Sequence, residues 1–502
     1  MTREPERACE TAIATWLAVC FGLLYLLFGH ASFSGSDEVA VFDTTEALWT
    51  NGSLAIPAGP HVYPGRHSNL YGHFAVGQSI IGLPFYALGE TLSENLPDSA
   101  RRVLASWAPL GTGPRSKGSG RVEIFATQLY PPIASGVLIG LFYTFSRALG
   151  SRRSSALWAS VLLGSTTYVA LLSTFYLRHV TESLLVLGSF FALHRHSRTG
   201  SWKSLLFASA LASGLVLVRI PALLALPGLA GYGLWAVLEA RGRRRGPAPW
   251  IAAAAIGIPA ALALGLHLLL NVARWGTWVA SPMLAQAAHF DTPLYVGLWG
   301  FLLSPGASVF TYTPLLALLP WTLPEFWRNS RAECVALIAM AASFLLVCAS
   351  FQVWSGLWSA PGPRYLYVLT PLLMLPLGPW LDTVRTRRIF QIAVAGLGLL
   401  GAFVCWTLVL VSWPALVQTM GYHDYAQPMD FVFVPELHPL IGAFSLLSDG
   451  RLDGWLWHLA RGWPGRAANP TLAAAIFFAW LAIAGAAVAL LVRAIRRAPG
   501  AP

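Results

Sequence analysis

The chain has 502 residues, 56% of them hydrophobic and only 11% charged, with a formal net charge of +11. A soluble domain carries about 25% charged residues, so the composition excludes a soluble enzyme and sets most of the chain against lipid or other helices. The positive balance calls for no nucleic acid, because the basic residues recur in every second loop, as the positive-inside rule demands.

The first apolar run covers 11–30. It is too long for a signal peptide and lacks a small-residue cleavage site, so a retained membrane helix is expected. Further runs follow at 122–146, 155–174, 181–194, 204–219, 222–238, 250–271, 311–327, 333–352, 365–381, 389–412 and 471–492. Runs of about 20 apolar residues cross a bilayer core of about 30 Å. The expectation is an all-α polytopic membrane protein with about 12 transmembrane helices, a single domain over residues 1–502.

The basic groups Arg3/Arg7, Arg147/Arg152/Arg153, Arg195/Arg198/Lys203, Arg241/Arg243/Arg244/Arg245, Arg328/Arg331, Arg385/Arg387/Arg388 and Arg493/Arg496/Arg497 mark the cytoplasmic side. Both termini are then cytoplasmic, and 31–121, 272–310 and 413–470 are outer loops. The inner loops are short and no P-loop occurs, so no nucleotide-binding domain is expected. Cys9, Cys20, Cys334, Cys348 and Cys405 place no pair in an outer loop, which implies no disulfide framework.

The first outer loop is the most informative segment. Asp37 and Glu38 stand just beyond the first span. Ser36 suits an N-cap, and Val41, Phe42, Thr45, Leu48 and Trp49 give 37–50 the spacing of a helix on the membrane interface. Asn51 and Gly52 end it. Residues 57–73 are rich in Pro, Gly and His. Residues 74–90 are apolar but interrupted by Gly82 and Pro84, and suit a second interfacial or re-entrant helix. Residues 108–121 suit a mobile loop. Glu46 is expected to be solvated.

The stretch from Phe33 to Gly52 resembles the first outer loop of the GT-C superfamily of glycosyltransferases, in the branch of the protein O-mannosyltransferases and lipid A aminoarabinose transferases. Three more patches resemble an uncharacterised bacterial subgroup of membrane glycosyltransferases. They are Tyr71-Gly-His-Phe-Ala-Val-Gly-Gln-Ser79, Ser304-Pro-Gly-Ala-Ser-Val-Phe-Thr-Tyr-Thr-Pro314, and the Trp-rich run from Trp354 to Leu366. The resemblance implies a GT-C-like fold and a sugar donor carried on a polyprenyl phosphate. It also implies that the carboxylate pair supplies the base, with Asp37 first and Glu38 second. Val39 and Ala40 follow the pair where the family has Arg or Tyr.

Transfer from such a donor needs a group that takes the acceptor hydroxyl's proton. Asp37 or Glu38 fits this role. Capping and helix-dipole chemistry is the alternative for both. The departing phosphate needs cations, and Arg178, Arg219 and Arg364 stand singly in outer turns. Each could instead anchor to lipid headgroups, and Arg178 could pair with Glu182 at i,i+4. Backbone amides of the Ser304-Pro-Gly turn could hold phosphate, or the turn could simply start a helix.

Tyr71, His73, Trp354, Trp358 and Tyr365 are candidate substrate-binding residues; for the aromatic side chains, an interfacial belt is the alternative. His61, His67 and His73 share the loop with Asp37 and could bind a metal, but their spacing matches no helix face and a solvated loop is the alternative. No metal site is assigned, and a divalent metal cofactor is left open.

The leading function is an inverting, lipid-phosphate-sugar-dependent glycosyltransferase at the outer face of the cytoplasmic membrane, with the acceptor unknown. A transporter or flippase of lipid-linked sugars is the alternative, and a non-catalytic assembly factor the third. A transporter places ionisable residues near the midplane, and His267 is the clearest such residue here.

Overall fold

A computed structural model describes residues 4–30, 33–98, 121–279, 281–282, 289–357, 359–422, 430–462 and 468–497. Almost all the regular structure is helical, apart from one short antiparallel hairpin. Among the described residues, seven stretches are long and apolar enough to cross a membrane: Glu6–Leu27, Val122–Ala148, Ile220–Gly242, Pro249–Trp275, Arg331–Ala349, Arg388–Val409 and Pro470–Arg497. They coincide with seven of the twelve expected spans.

The other five are shorter, broken or more polar, for local reasons. The 155–174 run breaks at Thr167, whose backbone is extended (φ −127°, ψ 174°) and whose hydroxyl accepts from the Val169 N–H to start a new turn. The 311–327 run splits into Val309–Tyr312, Pro314–Leu318 and Leu319–Asn329, and 365–381 into Leu369–Met374 and Leu377–Val384. Pro314, Pro371 and Pro376 lack the N–H that would continue the ladder. Such irregular backbone is tolerated at membrane depth only inside protein, and Pro314, Leu315, Leu369 and Leu372 are buried. The 181–194 run lies within a polar helix, and 204–219 corresponds to the 17-residue helix Trp202–Val218.

Helix α1 (Glu4–Leu27) leads to the outer loop through residues 28–35, and α2 (Ser36–Asn51) follows. Gly35, not Ser36, is the N-cap residue of α2, and Gly52 ends the helix in the left-handed conformation. The amphipathic expectation needs correcting here. Asp37, Glu38, Val41, Phe42, Thr45 and Glu46 are all buried, so α2 lies inside the protein rather than on its surface. Glu46, expected in solvent, faces the Tyr86 hydroxyl at 3.4 Å.

The Pro/Gly/His-rich stretch forms a hairpin of β1 (Val62–Pro64) and β2 (Leu70–Gly72), with Tyr63 opposite Tyr71. Helix α3 (Gly77–Asn95) runs unbroken through Pro84. It is tied to α2 where the Ser79 hydroxyl donates to Val41 O at 2.9 Å and the Thr45 hydroxyl to Ser79 O at 3.1 Å. The 108–121 stretch lies almost wholly outside the described residues.

α4 (Tyr130–Ala148) packs along α1. A Cβ on Gly136 would stand 2.3 Å from Ala18 O, and one on Gly140 2.6 Å from Ala14 O, so two helix backbones meet where only glycine fits. At the start of α1, Glu10 binds Arg147 at 3.1 Å and Arg153 at 2.9 Å. The acidic pair lies beyond the other end of α1, roughly 25 Å further along its axis by the 1.5 Å rise per residue. The elements that complete the site are α5 (His179–Thr199), α6 (Trp202–Val218), α7 (Pro249–Trp275) and the Trp354–Arg364 loop.

Candidate functional site

The two carboxylates of the acidic pair face different surroundings. Glu38 turns back on its own helix start. Its Oε2 accepts the N–H groups of Ser34 (2.5 Å) and Gly35 (3.0 Å), and its Oε1 accepts the Tyr176 N–H. It thus caps α2 and fastens it to the turn before α5. Burial pushes its carboxyl up to about 7, against those three N–H groups and His30.

Asp37 faces a cluster of cations. Its Oδ2 accepts from Arg364 Nη1 at 3.0 Å and lies 3.6 Å from Arg178 Nη2. Its Oδ1 lies 3.1 Å from His61 Nε2. Burial alone would raise the Asp37 carboxyl, but the Arg364 guanidinium, the His61 hydrogen bond and the Arg178 charge together hold it well below the usual range.

Each cation is positioned by local chemistry. Arg364 is wrapped by its own loop: Gly356 has φ 69°, and a Cβ there would stand 2.5 Å from Arg364 Nε. Glycine is required at that position twice over, by conformation and by space. Arg178 lies at the N-cap of α5 with its guanidinium carbon 3.8 Å over the Phe74 ring, a cation–π contact. Burial lowers it to about 10, with Asp37 opposing and Arg219 and Arg364 adding, so it stays charged at neutral pH.

Arg219, in the turn after α6, does not reach Asp37. Its Nη1 lies 2.7 Å from Glu182 Oε2. The i,i+4 pairing of Glu182 with Arg178 is therefore not formed, because Arg178 turns to Asp37. Tyr365 joins the two layers: the guanidinium carbons of Arg219 and Arg364 lie 5.0 and 5.3 Å from its ring centroid. Three arginines face two carboxylates, and the neighbouring His73 is neutral. Burial, His61 and Arg178 push the His73 imidazole down to about 3. The excess positive charge suits an anionic ligand.

The other expected site residues divide. Tyr365 is half-buried beside the arginines, and His73 stacks on Tyr63 with its ring 5.1 Å from that of His61. Tyr71 is buried in β2, edge-on to Trp275. Trp354 corrects its expectation. At 1% exposure, with its ring 5.0 Å from that of Phe301, it packs the interior rather than offering a stacking surface. Trp358 lies outside the described residues.

The Ser304-Pro-Gly turn is also structural, since the Ala307 N–H donates to Ser304 Oγ at 3.1 Å and the Gly306 N–H to Val432 O at 3.0 Å. His267 shares a 3.3 Å contact with Asn271 one turn on. No group of three His, Cys, Asp or Glu residues is placed to hold a metal among the described residues.

Two residues of the cluster were not found from the sequence as such. Arg274 donates to Gly72 O (3.1 Å) and Phe74 O (2.6 Å), which locks the hairpin to the end of α7. Its signal was available, as the first charge after the 250–271 run. In the sequence, His61 groups with His67 and His73 as a metal candidate. Its contact with Asp37 depends on the hairpin and has no local signal.

No protein-family model matches the chain. Among curated proteins, a 113-residue stretch is 29% identical to an uncharacterized transporter of Pseudomonas aeruginosa, covering 22% of this chain and 37% of that protein's length. Among solved structures, the chain is similar to ArnT from Cupriavidus metallidurans bound to undecaprenyl phosphate, with 15% identity and a TM-score of 0.47, over 96% of this chain and 76% of that one. It is also similar to the archaeal oligosaccharyltransferase AglB from Archaeoglobus fulgidus in complex with an inhibitory peptide and a dolichol-phosphate. That likeness has 11% identity and a TM-score of 0.44, over 86% of this chain and 59% of that one. What the chain itself shows is an all-α, multi-pass membrane architecture enclosing a buried arginine–carboxylate cluster.

Proposed function

We propose that the chain is a membrane glycosyltransferase of the GT-C type. It transfers a sugar from a polyprenyl-phosphate donor to an acceptor hydroxyl at the outer face of the cytoplasmic membrane, with both termini inside and inversion at the anomeric carbon. One observation carries this reading: the Asp37 carboxylate, at the start of a buried helix, is shared between Arg364 and Arg178. Glycosyl transfer from a phospho-lipid needs both partners at one point, a carboxylate for proton removal and cations for the departing phosphate.

The four sequence patches that resemble this superfamily support the same reading. Asp37 supplies the carboxylate on which proton removal depends, and Glu38 is second choice because its oxygens are committed to backbone N–H groups. The donor phosphate engages Arg364 and Arg178 by competing with Asp37 for them, and Arg219 adds charge from behind Tyr365. Release from the two guanidinium groups frees the Asp37 carboxylate for that role at the moment the donor binds. Tyr365 and the His73 wall of the hairpin lie nearest to where the sugar would sit.

The test is whether the purified protein consumes such a donor. Mass spectrometry of co-purified lipid should reveal a polyprenyl-phosphate-linked sugar. Incubation with envelope extract as the acceptor source should release free polyprenyl phosphate. A protein that turns over none of a panel of undecaprenyl-phosphate-linked hexoses and pentoses overturns the proposal.

A further inference from the structure

The hairpin brings a second proton-handling group to Asp37. His61 Nε2 lies 3.1 Å from Asp37 Oδ1 and 3.1 Å from the Ser36 hydroxyl. A neutral imidazole bonded to a carboxylate through Nε2 carries its proton there, which leaves the Nδ1 lone pair as the acceptor. Nδ1 has no hydrogen-bond partner among the described residues. The His61 side chain is 34% exposed, whereas that of Asp37 is 8% exposed. The histidine is therefore the member of the pair that an incoming hydroxyl can reach.

His61 is also held in a backbone conformation that few residues other than glycine adopt. Its φ is +64°, in the left-handed region. The Cβ penalty of that conformation is sustained by the His73 N–H, which donates to His61 O at 3.1 Å, and by the Asp37 contact. The groups facing the imidazole are Asp37 and Ser36 from α2, and His73 and Phe74 from the hairpin. Arg178 lies beyond the Phe74 ring, and Tyr63 beyond His73.

We propose that His61 is the catalytic base, taking the acceptor hydroxyl's proton on Nδ1, while Asp37 is the positioning carboxylate that fixes the imidazole and balances its charge. The proposal rests on the glycosyl-transfer reading above. In the step, the acceptor oxygen forms its bond to the anomeric carbon as its proton passes to Nδ1. The bond from that carbon to the phosphate oxygen breaks, and its electron pair leaves on the phosphate, where Arg364 and Arg178 receive it. The imidazolium then returns its proton to water. The same division of labour between a buried carboxylate and a reachable histidine operates in hydrolytic triads.

The test uses two variants that suit the left-handed backbone. His61→Gly removes the ring at a φ that glycine adopts freely. His61→Asn tolerates the same φ and keeps an N–H donor for Asp37 but has no titratable acceptor. Both should remain folded, read as an unchanged melting temperature in detergent. Both should lose about 10²-fold or more in kcat with undecaprenyl-phosphate-linked sugar donors. Added imidazole should restore His61→Gly at least tenfold and leave Asp37→Asn unrestored, because without Asp37 nothing orients the ring.

Near-normal turnover in either His61 variant overturns the role of His61. So does a loss in His61→Gly that imidazole does not restore. A wild-type protein inert toward all donors overturns the glycosyltransferase reading itself, and this proposal with it.

Discussion

Among the described residues, two places hold a carboxylate between two arginines, and they differ in how fully it is satisfied. At the start of α1, Glu10 takes paired donors from each arginine: Arg147 Nε at 3.2 Å and Nη2 at 3.1 Å, Arg153 Nε at 3.0 Å and Nη2 at 2.9 Å, with the Tyr143 hydroxyl added. The group is partly open, with the Glu10 side chain 19% exposed. Near the other end of α1, Asp37 is more deeply buried, yet Arg364 reaches it through a single nitrogen, and Arg178 only at 3.6 Å. Arg364 Nε has no hydrogen-bond partner among the described residues.

A saturated cluster near the surface is a structural bracket. A buried cluster with spare donors holds its cost for a ligand to relieve, because an unpaired buried donor is expensive. The difference between bracket and site lies in unspent hydrogen-bonding capacity, not in residue type.

That contrast can be broken in four ways, from the largest expected effect to the smallest. The first concerns sidedness and is all-or-none. In a cysteine-free background, a cysteine at exposed Ser68, on the Asp37 side, should react with an impermeant maleimide on intact cells. One at exposed Thr199, on the basic side, should react only after permeabilisation. The reverse pattern would invert the proposed topology.

The second compares the carboxylates directly. Asp37→Asn should reduce turnover about 10²-fold or more, whereas Glu10→Gln should leave it within a few-fold and lower the melting temperature instead. Equal activity losses in the two variants would make both clusters structural.

Third, Arg364→Ala should weaken donor use by roughly 10- to 100-fold in kcat/KM, the scale of a lost hydrogen bond to a charged group. Arg364→Lys should recover only part, because an ammonium lacks the planar fork. Unchanged donor kinetics in Arg364→Ala would remove phosphate binding from this residue.

The fourth and smallest effect concerns the helix cap. Glu38 ionises near 4.3 in an unfolded chain and at about 7 in the fold. The folded state therefore binds the extra proton, so this contribution to stability is fully present below the unfolded value and is lost as pH rises through about 7. The total is on the order of 3 kcal/mol. The wild-type melting temperature should fall by a few degrees between pH 5 and pH 8. Glu38→Gln cannot ionise and should show a flatter slope. Parallel slopes would mean that Glu38 does not carry the dependence.

The sequence by itself determined the membrane class, seven of the spans, the helix after Ser36 with its stop at Gly52, and three of the arginines that gather near the acidic pair. These features are local. Apolar run length, capping residues and the scarcity of charge in apolar surroundings are written residue by residue. The interruptions at Thr167, Pro314 and Pro376 have no clear mark in the sequence, because an apolar run buried in protein reads like one facing lipid.

Only the tertiary structure decided who pairs with whom. It gave Glu182 to Arg219 rather than to Arg178, turned Glu46 and Trp354 inward, and brought Arg274 to the hairpin. It also separated two adjacent carboxylates, Glu38 into a cap and Asp37 into a cation cluster with His61. Successive residues on a helix point about 100° apart. What each meets is set by elements distant in sequence, and no local pattern records that choice.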